Sequence, residues 1–418
     1  MRVLGLIVEY NPFHNGHLYH LEQSKLASGA EYTVCVMSGN FIQRGEPAIV
    51  NKWARARMAL QSGIDLVIEL PYPYAMSSAE YFAYGAVKIL DSLGVVGHIC
   101  FGSEHGSIRE LDSIAGVLFS EPEDYRSLLK EHLDKGLSYP SAREQALTGY
   151  FDTPHGPTAD LEPIIGSPNN ILGIEYLKAL KRIGSSIVPL TINRIYNEYN
   201  SCELTGSVSS ATSIRNSLQG GSNNLLNKDL LKTLPEPSLH ILKEEFESGR
   251  GPVFSRDFES IILAGLRKTA PGELSRLPYI SEGLENRIIN SAEVSGGLDE
   301  LVEGISTKRY TRTRIQRILF NSMVGMTASE FDDFNNFGGP QYIRVLGFNQ
   351  KGRRLLSQIN KNASLPVIIK TADYKRSCNP LLNRMLEIES LATDLYVLGY
   401  KNPAFRKAGQ EFTQNVIR

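Results

Sequence analysis

The chain has 418 residues, of which 42% are hydrophobic and 21% charged, and its net charge is −1. This composition is typical of a soluble globular protein with two or three domains. No apolar run is long enough to cross a membrane, and the first one ends at Glu9, so neither a membrane segment nor a signal peptide is expected. The four cysteines lie far apart, at positions 35, 100, 202 and 378, which excludes a disulfide framework and paired zinc ligands. A cytoplasmic location fits best.

Short β-rich runs alternate with helical patterns over the first 220 residues. The predicted strands are residues 2–9, 32–38, 65–70, 97–102 and 187–194. The predicted helices lie near residues 17–28, 52–62, 77–93 and 108–119, and residues 120–185 are mainly helical. Continuous apolar strands that alternate with helices form a parallel sheet covered on both faces. We therefore predict an α/β fold, with a Rossmann-like domain at residues 1–221.

The remaining chain divides into two predicted parts. From residue 222 to about 325, Leu and Ile recur at spacings of three and four, which predicts a helical region at 222–330. Residues 342–347 and 365–369 both have the composition of strands. We therefore predict a small mixed α/β part at 331–418.

The segment His14-Asn15-Gly16-His17 follows the first predicted strand, in a turn that leads into a helix at about His17. The turn brings two imidazoles and several backbone N–H groups to a helix N-terminus, which binds phosphate well. Histidine in that position can donate hydrogen bonds to triphosphate oxygens, and Gly16 leaves space for a nucleotide. The alternative is a polar turn that contains histidine by chance. Placement after the first strand of an α/β pattern favours a nucleotide site.

A second motif, Ser210-Ala211-Thr212-Ser213-Ile214-Arg215, follows the last predicted strand of this domain. Hydroxyls, free N–H groups and a guanidinium together suit the β- and γ-phosphates of a nucleotide. Thr212 or Ser213 could instead only cap the following helix. In combination with the first motif, the segment is predicted to hold phosphates.

Charge is divided unevenly along the chain. Residues 301–418 contain 18 Lys/Arg and 9 Asp/Glu, a net charge of +9, so residues 1–300 carry −10. No acid occurs from 304 to 329 or from 334 to 372, and Tyr310 and Tyr342 lie among the cations there. This mixture suits RNA phosphates and an unstacked base, whereas the alternative is a solvated helix face. The predicted RNA-binding residues are Lys308, Arg309, Arg312, Arg314, Arg317, Arg344, Lys351, Arg353 and Arg354.

The two motifs, in this order and about 195 residues apart, resemble those of the HxGH nucleotidyltransferase superfamily. Five longer stretches are similar to one bacterial family within it, the tRNA(Met) cytidine acetate ligases: Val8–His17, Met37–Ala48, Phe101–Glu104, Pro168–Gly173 and Lys308–Thr311. The resemblance implies ATP-dependent activation of acetate as acetyl-adenylate, followed by acetylation of N4 of the wobble cytidine in elongator tRNA(Met). AMP and diphosphate would be released.

The resemblance also implies site residues and ligands. ATP would bind with Mg²⁺ on its phosphates, and no tightly bound metal held by protein ligands is expected. The catalytic residues, which stabilise the negative charge that develops on the phosphates, would be His14, His17, Thr212, Ser213 and Arg215. The implied ATP-binding residues are Ile7, Val8, Glu9, Tyr10, Asn11, Pro12, Phe13, His14, Asn15, Gly16, His17, Leu18, Tyr19, His20, Gly102, Asn169 and Arg194.

Some of these residues have a simpler interpretation. Asn169, in a turn that opens a helix, could be only an N-cap, and Arg194 could be a solvated arginine at a strand end. The loop after the second strand contains Gln43 and Arg44, and Lys52 follows it. These three side chains could contact acetate, the acyl-adenylate or the tRNA, and the sequence does not decide among them.

Two other functions remain open on the sequence alone. One is an adenylyltransferase that acts on a nucleotide-like small molecule with the same two motifs, although the basic C-terminal part is hard to explain that way. The other is a non-catalytic RNA-binding protein with a relic nucleotide site. The intact histidines and the intact 210–215 segment argue against the second.

Overall fold

The computed structural model describes residues 1–153, 164, 166–194, 209–219, 227–374 and 377–418. The predicted boundary at 221/222 and Cys202 lie outside the described residues. The strands are β1 (Val3–Val8), β2 (Tyr32–Ser38), β3 (Phe41–Ile42), β4 (Glu46–Pro47), β5 (Leu66–Leu70), β6 (His98–Ser103), β7 (Val188–Asn193), β8 (Ile343–Phe348) and β9 (Val367–Ile368).

Helices cover the sheet and fill the region between β7 and β8. Those of the first part are α1 (Asn15–Ser28), α2 (Lys52–Gln61), α3 (Tyr72–Ala75), α4 (Ala79–Ser92), α5 (Ile108–Ser120), α6 (Glu123–Asp134), α7 (Tyr139–Phe151), α8 (Pro168–Ile183) and α9 (Ala211–Ser217). Those that follow are α10 (Lys228–Thr233), α11 (Glu236–Glu247), α12 (Glu259–Lys268), α13 (Pro271–Leu274), α14 (Leu284–Val294), α15 (Leu298–Ile305), α16 (Arg312–Val324), α17 (Ala328–Asn336), α18 (Gln350–Asn362), α19 (Pro380–Tyr396) and α20 (Gln410–Thr413).

Seven strands form one sheet in the order β7-β6-β1-β2-β5-β8-β9. The first five in the chain run parallel to their neighbours, and β8 pairs antiparallel with β5. Successive residues of β2 point to opposite faces, so that Val34 and Val36 enter one apolar cluster while Cys35 and Met37 enter the other. Both faces are therefore buried, as a parallel sheet requires. The predicted α/β fold is confirmed.

The C-terminal part adds its strands to this sheet and does not build one of its own. Strand β8 contacts β5 over Leu66–Glu69, and β9 follows β8 at the edge. The second predicted C-terminal strand is shorter than expected, at two residues. Pro366 directly precedes it and has no N–H to contribute to a ladder. The domain boundaries at 221/222 and 330/331 stay predictions. The sheet continues across the second one, because β8 pairs with β5.

A buried charge cluster joins the two ends of the chain. Lys52, at the start of α2, places its Nζ against the carboxylates of Glu69, Glu389 and Glu411, and Arg344 pairs with Glu411. Burial disfavours the charge on Lys52, but the three carboxylates raise its pKa. Burial and the neighbouring Glu389 raise the pKa of Glu69 to about 8. When Glu69 carries a proton, the two cations Lys52 and Arg344 face the two anions Glu389 and Glu411. The cluster thus holds α19 and α20 against the sheet.

Two sequence interpretations are wrong at this cluster. Lys52 is fully buried, so its ammonium does not reach a ligand or tRNA. Arg344 is only 3% exposed and its guanidinium is held by Glu411, so it cannot bind RNA phosphates. Both cations are buried because acidic side chains distant in sequence neutralise them. No helix of the described chain is long and apolar enough to span a membrane.

Candidate functional site

A cavity of about 600 Å³ opens at the carboxyl edge of the sheet, where β1, β6 and β7 end. The chain builds β2 and β5 on one side of β1 and then returns to build β6 and β7 on the other. Open α/β sheets bind ligands at such a reversal of strand order. The predicted residues that line the cavity are Ile7, Val8, Glu9, Tyr10, Asn11, His14, Gly16, His17, Tyr19, His20, Gly102, Asn169, Arg194, Thr212 and Arg215.

Four residues predicted to bind ATP lie behind that lining. Phe13 is fully buried with its ring against Tyr10, and Leu18 packs on the apolar cluster beneath α1. Asn15 donates from Nδ2 to the carbonyl of Lys232, 2.7 Å away. Pro12 is also buried. These four residues shape the turn, and the structure does not bring their side chains into the cavity.

The turn between β1 and α1 is closed by its own histidines. The imidazole Nδ1 of His14 accepts a hydrogen bond from the N–H of Gly16 at 3.1 Å, and Nδ1 of His17 accepts one from the N–H of His14 at 3.3 Å. His14 is therefore the N-cap, and the helix begins at Asn15, two residues earlier than predicted. The two rings stack with their centroids 3.8 Å apart. Because each Nδ1 is an acceptor, each neutral ring carries its proton on Nε2.

Burial makes both imidazoles neutral at physiological pH. Burial, together with the nearby Arg194 and Arg215, lowers the pKa of His14 to about 3. Burial and the neighbouring His14 likewise lower the pKa of His17, and burial lowers that of His20 to about 4. Both imidazoles are therefore neutral and lie beside arginines at the positive end of a helix, and the ring of His17 also has a hydrogen bond with the carbonyl of Pro12. This arrangement suits a polyphosphate, whose negative charge would be met by donors already in place.

Buried contacts hold the end of β1 in position. Asn11 Oδ1 accepts from the N–H of Ile49 at 2.7 Å, and the carbonyl of Asn11 accepts from Arg215 Nη1 at 3.2 Å. Arg55, which is fully buried, donates to the carbonyl of Glu9 at 2.6 Å. Arg55 was not predicted, because an arginine on a helix usually lies on the surface.

The predicted phosphate segment supplies Thr212 and Arg215 but not Ser213. Ser210 is the N-cap of α9, and its Oγ accepts from the N–H of Ser213 at 3.1 Å. Ser213 is fully buried, and its hydroxyl donates back to the carbonyl of Ser210. A catalytic role for the Ser213 hydroxyl is therefore wrong; the residue stabilises the helix start. Thr212 Oγ1 lies 3.4 Å from Arg215 Nη2 and 3.5 Å from Arg44 Nη1.

A reciprocal set of hydrogen bonds at the far wall was not predicted. Glu104 accepts at Oε1 from Asn169 Nδ2 at 2.6 Å, and at Oε2 from the N–H of Asn170 at 2.9 Å. Asn170 Oδ1 accepts in return from the N–H of Glu104 at 2.9 Å. Asn169 Oδ1 accepts from Arg194 Nη1 at 3.0 Å. Asn169 is not the helix cap, because Ser167 is the N-cap of α8, and it instead orients the arginine in the lining; the sequence signal was a carboxylate two residues after Gly102.

The predicted RNA-binding cations divide into exposed and engaged groups. Arg317 is 8% exposed and donates to the carbonyl of Gln43 at 3.1 Å, so its assignment to an RNA surface is wrong. Arg314 is half-buried and donates to the carbonyl of Tyr279 at 2.7 Å. Arg309 and Arg312 are exposed in ion pairs with Glu282 and Asp299. The other exposed cations of the set are Lys308, Lys351, Arg353 and Arg354.

Comparison with known proteins assigns a family. The HIGH Nucleotidyl Transferase family model matches residues 1–411. A tRNA(Met) cytidine acetate ligase of Acetivibrio thermocellus is 60% identical over 417 residues, which is 100% of both chains. Another from Thermoanaerobacter sp. is 47% identical over 423 residues, again across the full length of both.

Two solved structures of Thermotoga maritima TmcAL have the same fold. The one bound with alpha-thio ATP matches with a TM-score of 0.93 and 38% identity. The apo form matches with a TM-score of 0.94 and the same identity. Each comparison covers 100% of this chain and 99% of the other.

The neutral state of His14 has a measurable consequence. Because its folded pKa is about 3 and the unfolded imidazole titrates near pH 6.5, the ring should stay neutral from pH 8 to pH 5. Its contribution to stability is then present above pH 6.5 and is lost as the pH falls toward 3. Nitrogen NMR of the ring, assigned by comparison with His14→Gln, should show an unprotonated Nδ1 over that range. A titration midpoint near 6.5 would contradict this account of the turn.

Proposed function

Because this chain belongs to the tRNA(Met) cytidine acetate ligase family of HIGH nucleotidyl transferases, we propose that it acetylates N4 of the wobble cytidine in elongator tRNA(Met). The reaction uses ATP and acetate, proceeds through acetyl-adenylate, and releases AMP and diphosphate. One observation carries the proposal: three neutral imidazoles and three arginines line one cavity at a helix N-terminus. Such a set of fixed donors fits a triphosphate.

The first step is the adenylation of acetate. An acetate oxygen attacks the α-phosphorus in line, an O–P bond forms, and the bond to the β-phosphate oxygen breaks as diphosphate leaves. His14 and His17 donate from Nε2 to the charge that develops on the phosphates, and Thr212 and Arg215 assist them. Acetate is already a competent nucleophile, so positioning and electrostatic stabilisation supply most of the rate.

The second step is transfer to the tRNA. The exocyclic amine of cytosine attacks the acetyl carbonyl carbon, the bond to AMP breaks with its electron pair, and N4 releases one proton. This amine is a weak nucleophile, which is why the acyl group must first be activated. The target base leaves its stack to enter the cavity.

Mg²⁺ accompanies ATP in this proposal. The carboxylates in the cavity lining are those of Glu9 and Glu104. Glu9 already accepts from the N–H of Gln43, and Glu104 from two asparagines. This donor set fits an ion held mainly by phosphate oxygens and water, as Mg²⁺ commonly is. When bound, the ion neutralises part of the triphosphate charge.

The tRNA surface in this proposal consists of the exposed cations alone. These residues are Lys308, Arg309, Arg312, Lys351, Arg353 and Arg354. The exposed ion pairs of Arg309 and Arg312 contribute little stability, so these cations can exchange their partners for phosphates. Arg314 lies on the same helix as Arg312 and donates to the carbonyl of Tyr279. It therefore affects the tRNA surface only indirectly, by holding Tyr279 in place.

Removal of one imidazole tests the catalytic proposal. His17→Ala removes an Nε2 donor, and loss of such a donor typically lowers the rate roughly 100-fold or more. Acetate-dependent release of diphosphate should fall by that factor, while tRNA binding stays unchanged. His240→Ala is the matched control, because His240 is exposed on α11 and does not line the cavity. Acetylation at the wild-type rate by His17→Ala would refute the assigned role.

Removal of two exposed cations tests the tRNA surface. The double variant Lys308→Ala with Arg312→Ala should weaken tRNA binding and flatten the plot of log affinity against log salt by about two units of slope. Adenylate formation should be unaffected, because neither side chain lines the cavity. Lys130→Ala, an exposed lysine on α6, should leave the slope unchanged. An unaltered slope in the double variant would remove this segment from the interface.

A further inference from the structure

Gln43 is held in the cavity wall by its backbone alone. It lies in the turn between β3 and β4, where its N–H donates to Glu9 Oε1 at 2.8 Å. Its carbonyl accepts from Arg317 Nη1 at 3.1 Å. Glu9 belongs to the end of β1 and Arg317 to α16, so two separate parts of the fold fix this peptide unit.

The turn itself cannot shift easily. Gly45, at a φ of +80°, closes it through a hydrogen bond from its N–H to the carbonyl of Ile42 at 2.9 Å. A Cβ at Gly45 would lie 2.5 Å from the backbone N of Arg317, so α16 packs directly against the turn. The position of residue 43 is therefore set by the fold before any ligand binds.

The side chain of Gln43, in contrast, makes no hydrogen bond with the residues that the structure describes. Gln43 lines the cavity and is only partly buried. The adjacent Arg44 lies 3.5 Å from Thr212, within the predicted phosphate segment. A fixed backbone with an unengaged carboxamide is the geometry of a group kept for a ligand.

The position of Gln43 relates it to the acceptor and not to the nucleotide. Strand β2, which leads into its turn, lies on one side of β1, whereas β6 and β7 lie on the other. Of the lining residues, Gly102 lies near the end of β6 and Arg194 directly follows β7. With the phosphates at the His14–His17 turn after β1, a nucleoside held on the β6–β7 side leaves the β2 side for the group that attacks.

The chemistry of a carboxamide fits a base edge better than it fits acetate. A glutamine offers one acceptor oxygen and an NH₂ donor, while the Watson–Crick edge of cytosine offers the N4 donor beside the N3 acceptor. Acetate has acceptors only, so it would face the amide oxygen unfavourably and would be better held by Arg44. We infer that Gln43 pairs with the N4–N3 edge of the target cytosine and positions N4 for attack on the acetyl group. This inference rests on the proposed function.

The test separates adenylate formation from transfer. Hydroxylamine attacks acetyl-adenylate without base recognition, so acetohydroxamate reports the first step and acetylated tRNA reports the second. Gln43→Met, which keeps the length but lacks the amide, should retain acetohydroxamate formation. Transfer to tRNA should fall at least about tenfold, as expected for a displaced nucleophile. Gln43→Glu, which lacks the donor for N3, should show the same split.

Two results would overturn the inference. Gln414→Ala is the control variant. It replaces an exposed glutamine near the C-terminal end and should change the amount of neither product. Equal loss of both products in Gln43→Met would mean a structural or acetate-binding role, and unchanged transfer would mean no role; either result overturns the inference. If the wild-type protein forms no acetohydroxamate from ATP and acetate, the proposed function itself fails, which is a distinguishable result.

Discussion

The site depends on the hydrogen bonds by which two histidines close the turn after β1. Each imidazole uses Nδ1 to satisfy a backbone N–H, so each neutral ring carries its proton on Nε2. Burial beside arginines keeps both rings neutral, so they donate without adding charge. A histidine cap therefore performs two tasks: it begins α1 and it fixes the direction of two donors.

Other parts of the fold restrain this turn through charged groups in unusual positions. Arg55 and Arg215 bind the carbonyls of Glu9 and Asn11, which directly follow β1. Arg317 binds the carbonyl of Gln43, which in turn binds Glu9. The helical region is thus in direct contact with the cavity wall. Helix α16 extends from the exposed cations near its start to the β3–β4 turn, which lies beside the His14–His17 turn. Helix α16 therefore connects Arg312 of the proposed tRNA surface with the wall of the cavity.

Much of the parallel sheet and the turn after β1 could be predicted from the sequence. The inner strands β1, β2 and β5 are largely apolar runs that are buried on both faces, and the bounds of all five parallel strands agree with the prediction within one or two residues. The HxGH turn was predicted for a similar reason, because its composition and its place after β1 are local properties. The family, the α/β fold and the ligase function agree with the relatives found.

The errors concern residues whose environment is set by distant parts of the chain. Arg344 and Lys52 belong to one buried cluster with Glu69 and Glu411, and no local pattern reveals that acids on other elements of the fold will neutralise them. The catalytic role of Ser213 was wrong because Ser210, and not Thr212 or Ser213, caps the helix, and the hydroxyl of Ser213 is then used by the carbonyl of Ser210. Basic segments predict a charged surface only on average, since cations with a partner can be buried.

The most direct measurement is a crystal structure of this protein with a non-hydrolysable ATP analogue. The account predicts phosphate oxygens within hydrogen-bonding distance of Nε2 of both His14 and His17, with the adenosine on the side of β6 and β7. A nucleotide bound elsewhere, or one whose phosphates contact neither imidazole, would contradict the central claim.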